Sequence, residues 1–368
     1  MRIAFFVLVL AASSAAAPDE PALFPIPGPP RLVGYIDATG KVVVAPRFES
    51  STQWEFSEGL AAAGEPGGRK GYIDHTGRFV IPPTFSDASA FSEGLAFVHA
   101  LTPQEVVDGT AYIDRTGRRV IHFPYRFGEP DIRYAGRFAE GLAAVGRTRD
   151  YTDTDGVFKQ ETKWGYVDKT GTVVIPTQFD AAGEFSEGLA NVQFGDIWRD
   201  KKVECGYVDH AGKVVFRGPY GGCGPFKGGL AAVMQWVKTG PSDEPEERHG
   251  YVDKTGKVVV PLKYGSAKPF SDGLACVSEG ETAGFIDTTG AYVLKAAYRA
   301  CDSFSEGLAA VVVKDKWGLI DKTGKLVVPA RFDWAQPFKN GLAQVGEGRT
   351  LAYIDKTGKT VWSGPAPE

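Results

Sequence analysis

A short hairpin signature recurs along almost the whole chain and limits what the chain can fold into. Its pattern is G-Y-[IV]-D-x-[TA]-G, with minor variants, and it occurs nine times. The copies begin at Gly34, Gly71, Ala111, Gly165, Gly206, Gly250, Gly284, Gly318 and Ala352. Because a unit of about 34 residues cannot bury its apolar face alone, neighbouring units must stack on one another.

The local pattern inside one unit predicts β-strands and no helix. The unit that begins at Gly307 predicts three antiparallel strands, called C, A and B here, at Leu308–Val313, Trp317–Ile320 and Leu326–Val328. The 46 glycines among 368 residues agree with many tight turns, since the usual share is about 7%. The sequence therefore predicts an all-β tandem array of about eight three-stranded meander repeats.

The two ends of the array favour an open stack. The first unit reads as an A–B hairpin without a C strand, and the last reads as a complete C–A–B unit, as expected of a solenoid-like stack with an atypical cap. A closed toroid or propeller-like ring is the alternative. The predicted regions are a signal peptide at 1–17, a Pro-rich linker at 18–31, the repeat domain at 32–362 (eight units plus a ninth hairpin) and a C-terminal tail at 363–368.

The stretch F-S-E-G-L-A between the units could be a reactive group or a structural joint. It occurs letter for letter at Phe56, Phe91, Phe185 and Phe304, with near-copies at Phe138, Phe226, Phe270 and Phe338. The Ser and the Glu are replaced in some copies, but the Gly is present in all eight. An aromatic also stands six residues before most of these Phe residues, which predicts an aromatic core between units. We therefore interpret the stretch as a joint whose Gly permits a special backbone angle.

Two stretches resemble a known family. They are WGYVDKTGTVVIPTQFDAAGEFSEGLANV (Trp164–Val192) and WGLIDKTGKLVVPARFDWAQPFKNGLAQV (Trp317–Val345), each preceded by a Lys. Both are similar to the bacterial WG-containing repeat, and the resemblance covers about Leu32 to Trp362, although the Trp is missing from the other seven hairpins. The resemblance implies a repeat module of exported or multidomain proteins without an assigned activity.

The first residues predict export. One positive charge at Arg2 precedes an apolar run from Ile3 to Ala12, and Ala15-Ala16-Ala17 fits a signal-peptidase site with cleavage before Pro18. We therefore expect a periplasmic or secreted protein without a transmembrane segment. A net charge of −4 argues against a nucleic-acid partner, which would require a basic surface.

Four cysteines in an oxidising compartment predict two disulfides. Cys223 and Cys301 occupy the same repeat position, three residues before a joint Phe. Cys205 precedes an A strand, and Cys276 lies in a C strand. These positions predict the pairs Cys205–Cys223 and Cys276–Cys301.

No catalytic, metal or cofactor site stands out in the sequence. The turn Asp of every hairpin could belong to a calcium ladder, or it could accept N–H bonds inside its own turn. The second interpretation is favoured, because calcium needs six or more converging oxygens. We expect the protein to have no enzymatic activity and no cofactor, although a hydrolase that uses a carboxylate dyad stays open as an alternative.

Extra residues accumulate at one place in the unit, between strand C and the next strand A. They are Leu101–Thr110, Gly146–Lys163, Phe194–Glu204 and Gln235–His249. Insertions at one point of a repeat often form the binding face, and the candidate binding residues are Arg147, Arg149, Tyr151, Trp198, Arg199 and Trp236. We expect a non-catalytic module that binds a protein in the bacterial envelope, with a cell-wall or carbohydrate-binding module as the alternative.

Overall fold

The computed structural model describes residues 21–29, 31–49, 55–101, 107–124, 131–152, 154–195, 203–238 and 245–366. All regular elements in these ranges are β-strands. The first sheets contain β1 (Phe24–Gly28), β2 (Leu32–Ile36), β3 (Val42–Glu49); β4 (Ala61–Gly64), β5 (Lys70–Ile73), β6 (Phe79–Ala88), β7 (Leu95–Leu101), β8 (Val107–Asp114), β9 (Arg119–Pro124); β10 (Asp131–Ala135), β11 (Leu142–Thr152), β12 (Phe158–Asp168), β13 (Val173–Phe179); β14 (Ala181–Ala182), β15 (Ala190–Phe194), β16 (Glu204–Val208) and β17 (Val214–Gly218). The remaining sheets contain β18 (Gly222–Cys223), β19 (Leu230–Val237), β20 (Glu246–Asp253), β21 (Val258–Tyr264); β22 (Ser266–Ala267), β23 (Ala275–Glu279), β24 (Thr282–Ile286), β25 (Tyr292–Tyr298); β26 (Leu308–Val313), β27 (Lys316–Asp321), β28 (Leu326–Phe332); β29 (Trp334–Ala335), β30 (Ala343–Glu347), β31 (Thr350–Ile354) and β32 (Thr360–Pro365).

The eight antiparallel sheets form a closed ring, a β-propeller, so the open solenoid-like stack expected from the sequence is wrong. The sheet from β4 to β9 has six strands and holds two repeat units joined through β6, so nine repeats make eight sheets. The first and last units meet where Tyr353 donates a hydrogen bond to the carbonyl oxygen of Pro25 over 2.7 Å. Phe24 and Ile26 share one buried cluster with Leu342 and Leu351.

The expectation of an open array failed because a strand lies inside the Pro-rich N-terminal segment. Residues 18–31 are predicted to be a linker, yet Phe24–Gly28 forms β1 and pairs with β2. Pro25 and Pro27 are tolerated because β1 is the edge strand of its sheet, where a missing N–H donor breaks no central ladder. The first unit thus has its C strand and can close the ring.

One contact recurs at the junctions between units, including the closing junction. The turn Gly of an A–B hairpin lies against the B strand of the preceding unit, as Gly171 lies against Ile121, where a Cβ atom would come within 2.8 Å of the Ile side chain. At the closing junction Gly40 of the first unit lies against Val361 of the last. Both glycines have a φ of 86°, so backbone angle and space each require Gly here.

Each unit has two ends, which give the ring two faces. The joint Leu that begins strand C pairs with the turn Asp that ends strand A, as in Leu142 with Asp168 and Leu308 with Asp321. The joints and the A–B turns therefore lie on one face, called the joint face below. The C–A turns lie on the opposite face, called the hairpin face.

Candidate functional site

Each F-S-E-G-L stretch folds as a two-residue hairpin turn. Ser57 and Leu60 exchange both main-chain hydrogen bonds, at 2.9 and 3.1 Å. Glu58 and Gly59 between them have φ angles of 51° and 79°. Two successive positive φ angles are typical of a type I′ turn, in which Gly is strongly preferred. The backbone angle that the repeated Gly indicates is therefore present, and the interpretation as a joint is confirmed.

The polar side chains of one joint bind the next joint. Ser57 Oγ donates to the carbonyl oxygen of Phe91 over 2.7 Å, and the Glu58 carboxylate accepts the N–H of Gly94 over 2.9 Å. The carboxylate contact recurs at Glu93, Glu140, Glu187, Asp272 and Glu306. The Ser and the acid are thus structural groups that connect neighbouring joints.

The joint Phe packs on the aromatic side chain of the preceding A strand. Tyr72 and Phe91 have ring centroids 4.7 Å apart, and the Tyr72 hydroxyl donates to the carbonyl oxygen of Ser89 over 2.8 Å. Desolvation raises the pKa of Tyr72 well above its usual value, so the hydroxyl stays protonated and remains a donor. The aromatic core between units, which the sequence predicts, is confirmed.

The carboxylates of the joint face are occupied by structural contacts. Partial burial by itself would raise the pKa of Glu306, but Lys356 and the N–H of Gly341 lower it overall. The hydrogen bond from the Thr116 hydroxyl is the main cause that lowers the pKa of Asp114 to about 2. As expected, the turn Asp accepts main-chain N–H bonds of its own turn. The described part of the chain contains no group of three or more side chains that could hold a metal ion.

The hairpin face differs most between units. β11 and β12 pair over 11 residues, whereas β26 and β27 pair over six. The five extra pairs extend the hairpin by roughly 17 Å at about 3.4 Å per residue. At its tip, Val157 is 54% exposed to solvent and Phe158 is 64% exposed. The segment predicted as an inserted loop is therefore mostly a β-hairpin, because its Thr, Tyr, Val and Phe residues favour strands.

The structure brings together three of the predicted binding residues. Arg147, Arg149 and Tyr151 alternate along β11 and share one face of the long hairpin, with both arginines exposed. Trp236 is 48% exposed on β19, which belongs to a different sheet. Trp198 and Arg199 lie outside the described residues. Val157 and Phe158 at the tip are not among the binding residues predicted from the sequence, although an apolar pair directly after Gly156 could have indicated them.

Aromatic and charged groups meet at the base of the long hairpin. Trp164 stacks on Tyr134, with ring centroids 6.3 Å apart, and Tyr134 is half exposed. Arg133 contacts Asp131 over 2.7 Å and Asp150 over 2.6 Å. The hydrogen bonds that Arg133 donates to these carboxylates, to Asp150 first, raise the pKa of Arg133 above its usual value. A cavity of about 450 Å³ opens beside these groups, so the hairpin base offers both charge and stacking surface.

Both predicted disulfides are confirmed, and each connects neighbouring sheets. Cys205 in β16 is bonded to Cys223 in β18, with Cα atoms 6.1 Å apart. Cys276 in β23 is bonded to Cys301, which bridges to Val311 in β26. The closing junction has no such bond among the described residues, whose cysteines are all paired in these two bridges.

Comparison with known proteins supports the repeat and the fold. The structure is similar to a crystal structure of the eukaryotic initiation factor, at 12% identity and a TM-score of 0.61 over 95% of this chain and 97% of that one. An acylaminoacyl peptidase from Pyrococcus horikoshii is similar at 10% identity and a TM-score of 0.39, over 91% of this chain and 58% of that one. The likeness to the initiation factor shows the fold alone, because only 12% of the residues are identical. A search of the curated proteins finds no match.

The sequence matches a family model described as WG containing repeat. The matched residues are 34–64, 71–98, 164–198, 206–235, 250–282, 284–317 and 317–348, more than half of the chain. A repeat protein with a propeller fold is typically a binding module. The chain belongs to the WG containing repeat family.

Proposed function

We propose that this protein is an exported, non-catalytic module that binds a protein partner in the cell envelope on its hairpin face. The observation that carries this proposal is the long β11–β12 hairpin, whose tip exposes Val157 and Phe158. Burying such a solvent-exposed apolar pair in an interface would be favourable. The compact turn between β26 and β27 offers nothing comparable.

The rest of the hairpin suits a protein partner. Arg149 and Glu161 lie opposite each other between the base and the tip of the hairpin, and Arg147 lies nearer the base, so charges of both signs flank the hairpin. An apolar centre with a polar rim is the usual anatomy of a protein interface.

Export is supported by the two disulfides, which suit an oxidising compartment. The described residues include no helix able to cross a membrane. The expected signal peptide at 1–17 lies outside the described residues.

Affinity capture from the envelope fraction tests the proposal. We expect the unaltered protein to retain a partner, and the tip variant Val157→Ser/Phe158→Ser to lose it. The matched control is Val173→Ser/Val174→Ser, because these valines are also exposed but lie on the outer strand β13 of the same sheet. Equal retention by the tip variant and the control would contradict the proposal. Retention on isolated cell-wall polysaccharide instead of protein would favour the carbohydrate-binding alternative.

A further inference from the structure

The closing junction of the ring lacks the joint motif that the other eight junctions have. Leu23 occupies the joint Leu position, and it is buried to the same degree as Leu142, with 7% exposure for both. The four residues before Leu23 read Asp-Glu-Pro-Ala, where the other junctions have F-x-x-G. In the joint that precedes this junction, Lys339 and Asn340 stand where most joints have Ser and Glu.

A cavity of about 920 Å³ lies at this junction on the joint face. Leu23, Phe24, Trp334 and Tyr353 supply apolar wall, and Lys339 supplies charge. Its volume lies in the range of sites that bind small molecules or short peptides, about 300–1,000 Å³.

The regular junctions show what such a cavity can hold. In seven of them the joint Phe lies 4.7–5.0 Å from the aromatic ring of the preceding A strand. At the closing junction Tyr353 has no joint Phe in the sequence, and Phe24 approaches it at 5.5 Å from the position of the joint Ala. Phe24 therefore covers only part of the surface that a joint would occupy.

We propose that the closing junction binds a peptide segment of a partner protein that presents Phe in an F-x-x-G-L turn. The Phe ring would pack beside Tyr353 and Trp334. Lys339, at the position of the joint Ser, would donate to the carbonyl oxygen of the Phe, and Asn340, at the position of the joint acid, would accept the Gly N–H. Lys339 also pairs with Glu55, and its ammonium has donors for both contacts.

The occupant is assigned to another protein because all eight F-x-x-G-L stretches of this chain form joints of its own ring. The joint motifs of a second copy are engaged in its own ring, as the contact of Ser57 with Phe91 illustrates. The site lies on the joint face, so it stands independently of the proposed binding on the hairpin face.

Calorimetric titration with a synthetic peptide tests this inference. The probe is the capped peptide GEFSEGLAN, the sequence of residues 183–191, and the control is the same peptide with Phe replaced by Ser. We expect saturable one-to-one binding of the probe and at least about tenfold weaker binding of the control, since the buried ring supplies most of the contact. Absence of binding, or equal binding of the two peptides, would overturn the proposal.

A variant with a restored joint locates the site. Asp19→Phe/Glu20→Ser/Pro21→Glu/Ala22→Gly/Phe24→Ala writes F-S-E-G-L-A into the closing junction. We expect this variant to fold, to melt at a higher temperature and to lose peptide binding at least about tenfold. Unchanged binding by a folded variant would place the peptide elsewhere and overturn the proposal.

Discussion

The regular junctions and the closing junction hold neighbouring units together by different means. At a regular junction one joint supplies a buried Phe, such as Phe91, and the preceding joint supplies a Ser donor and a carboxylate acceptor, such as Ser57 and Glu58. At the closing junction these contacts give way to an apolar cluster around Phe24 and Tyr353. A turn Gly lies against the preceding B strand at both, against a side chain at a regular junction such as Gly171 on Ile121 and against the main chain of Val361 at the closing junction. The shape of the unit therefore closes the ring, and the joint motif strengthens only the junctions that lie within the continuous chain.

The largest expected difference is between removing the joint Phe of a regular junction and removing Phe24 at the closing junction. Phe91→Ala should lower the free energy of unfolding by about 3–5 kcal/mol, because the ring is fully buried and leaves a cavity. Phe24→Ala should cost less, about 2 kcal/mol, because its ring already borders a cavity. Urea unfolding of the two variants measures both values. An equal or larger loss for Phe24→Ala would show that the closing junction is packed as tightly as the others.

The disulfides sharpen the contrast between the bonded junctions and the closing one. Cys276→Ala/Cys301→Ala should lower the free energy of unfolding by about 3 kcal/mol, since the bond closes a loop with a sequence separation of 25 residues. Calorimetric melting measures the loss. In this variant a reducing agent should cause a further loss of unfolding free energy, because it breaks the one remaining bond, Cys205–Cys223. No difference between the variant and the unaltered protein would mean that the sheet-to-sheet bonds do not limit unfolding.

A hydroxyl deletion compares the two junction types at the same position of strand A. Tyr353→Phe removes the hydrogen bond to Pro25 in β1, and Tyr166→Phe removes the hydrogen bond to Gly183, which precedes a joint. Each should cost about 1 kcal/mol, because a partly buried carbonyl loses its donor. In Tyr353→Phe the amides of β1 should also exchange hydrogen faster, while in Tyr166→Phe they should not. Slow exchange of β1 in both variants would show that β1 is held by its pairing with β2 alone.

The smallest expected effect depends on pH. The folded-state pKa of Glu306 is lowered by Lys356 and the Gly341 N–H despite the opposing effect of its burial. Its contribution is therefore complete above its unfolded pKa and is lost as pH falls through the lower folded pKa. Glu306→Gln should cost about 0.5 kcal/mol at neutral pH, and the gap should close between about pH 5 and pH 3. Asn340→Gln at the closing junction is the matched control, whose effect should not change with pH.

The sequence predicts the repeat well because each unit carries its own turn signals. The type I′ joint, the turn Asp and both disulfide pairs follow from residues such as Gly59 and Cys223 within one or two units. Ring closure was harder to predict, because it depends on the combined curvature of the 32 described strands. It also depends on β1, where Pro25 and Pro27 obscure the β-strand pattern in the sequence. The candidate sites were predicted in part. The hairpin face was indicated by the insertions, but the apolar tip and the closing cavity depend on contacts between residues far apart in the chain.

Zero-length cross-linking of carboxylates to amines tests ring closure most directly. Lys339 contacts Glu55 across the closing junction, while Lys356 contacts Glu306 over 3.0 Å and Lys254 contacts Glu187 over 3.4 Å within regular junctions. Carbodiimide treatment of the monomer followed by peptide mapping should recover all three linkages. If the two regular linkages form and the Glu55–Lys339 linkage does not, the first and last units are not in contact, and the closed ring is contradicted.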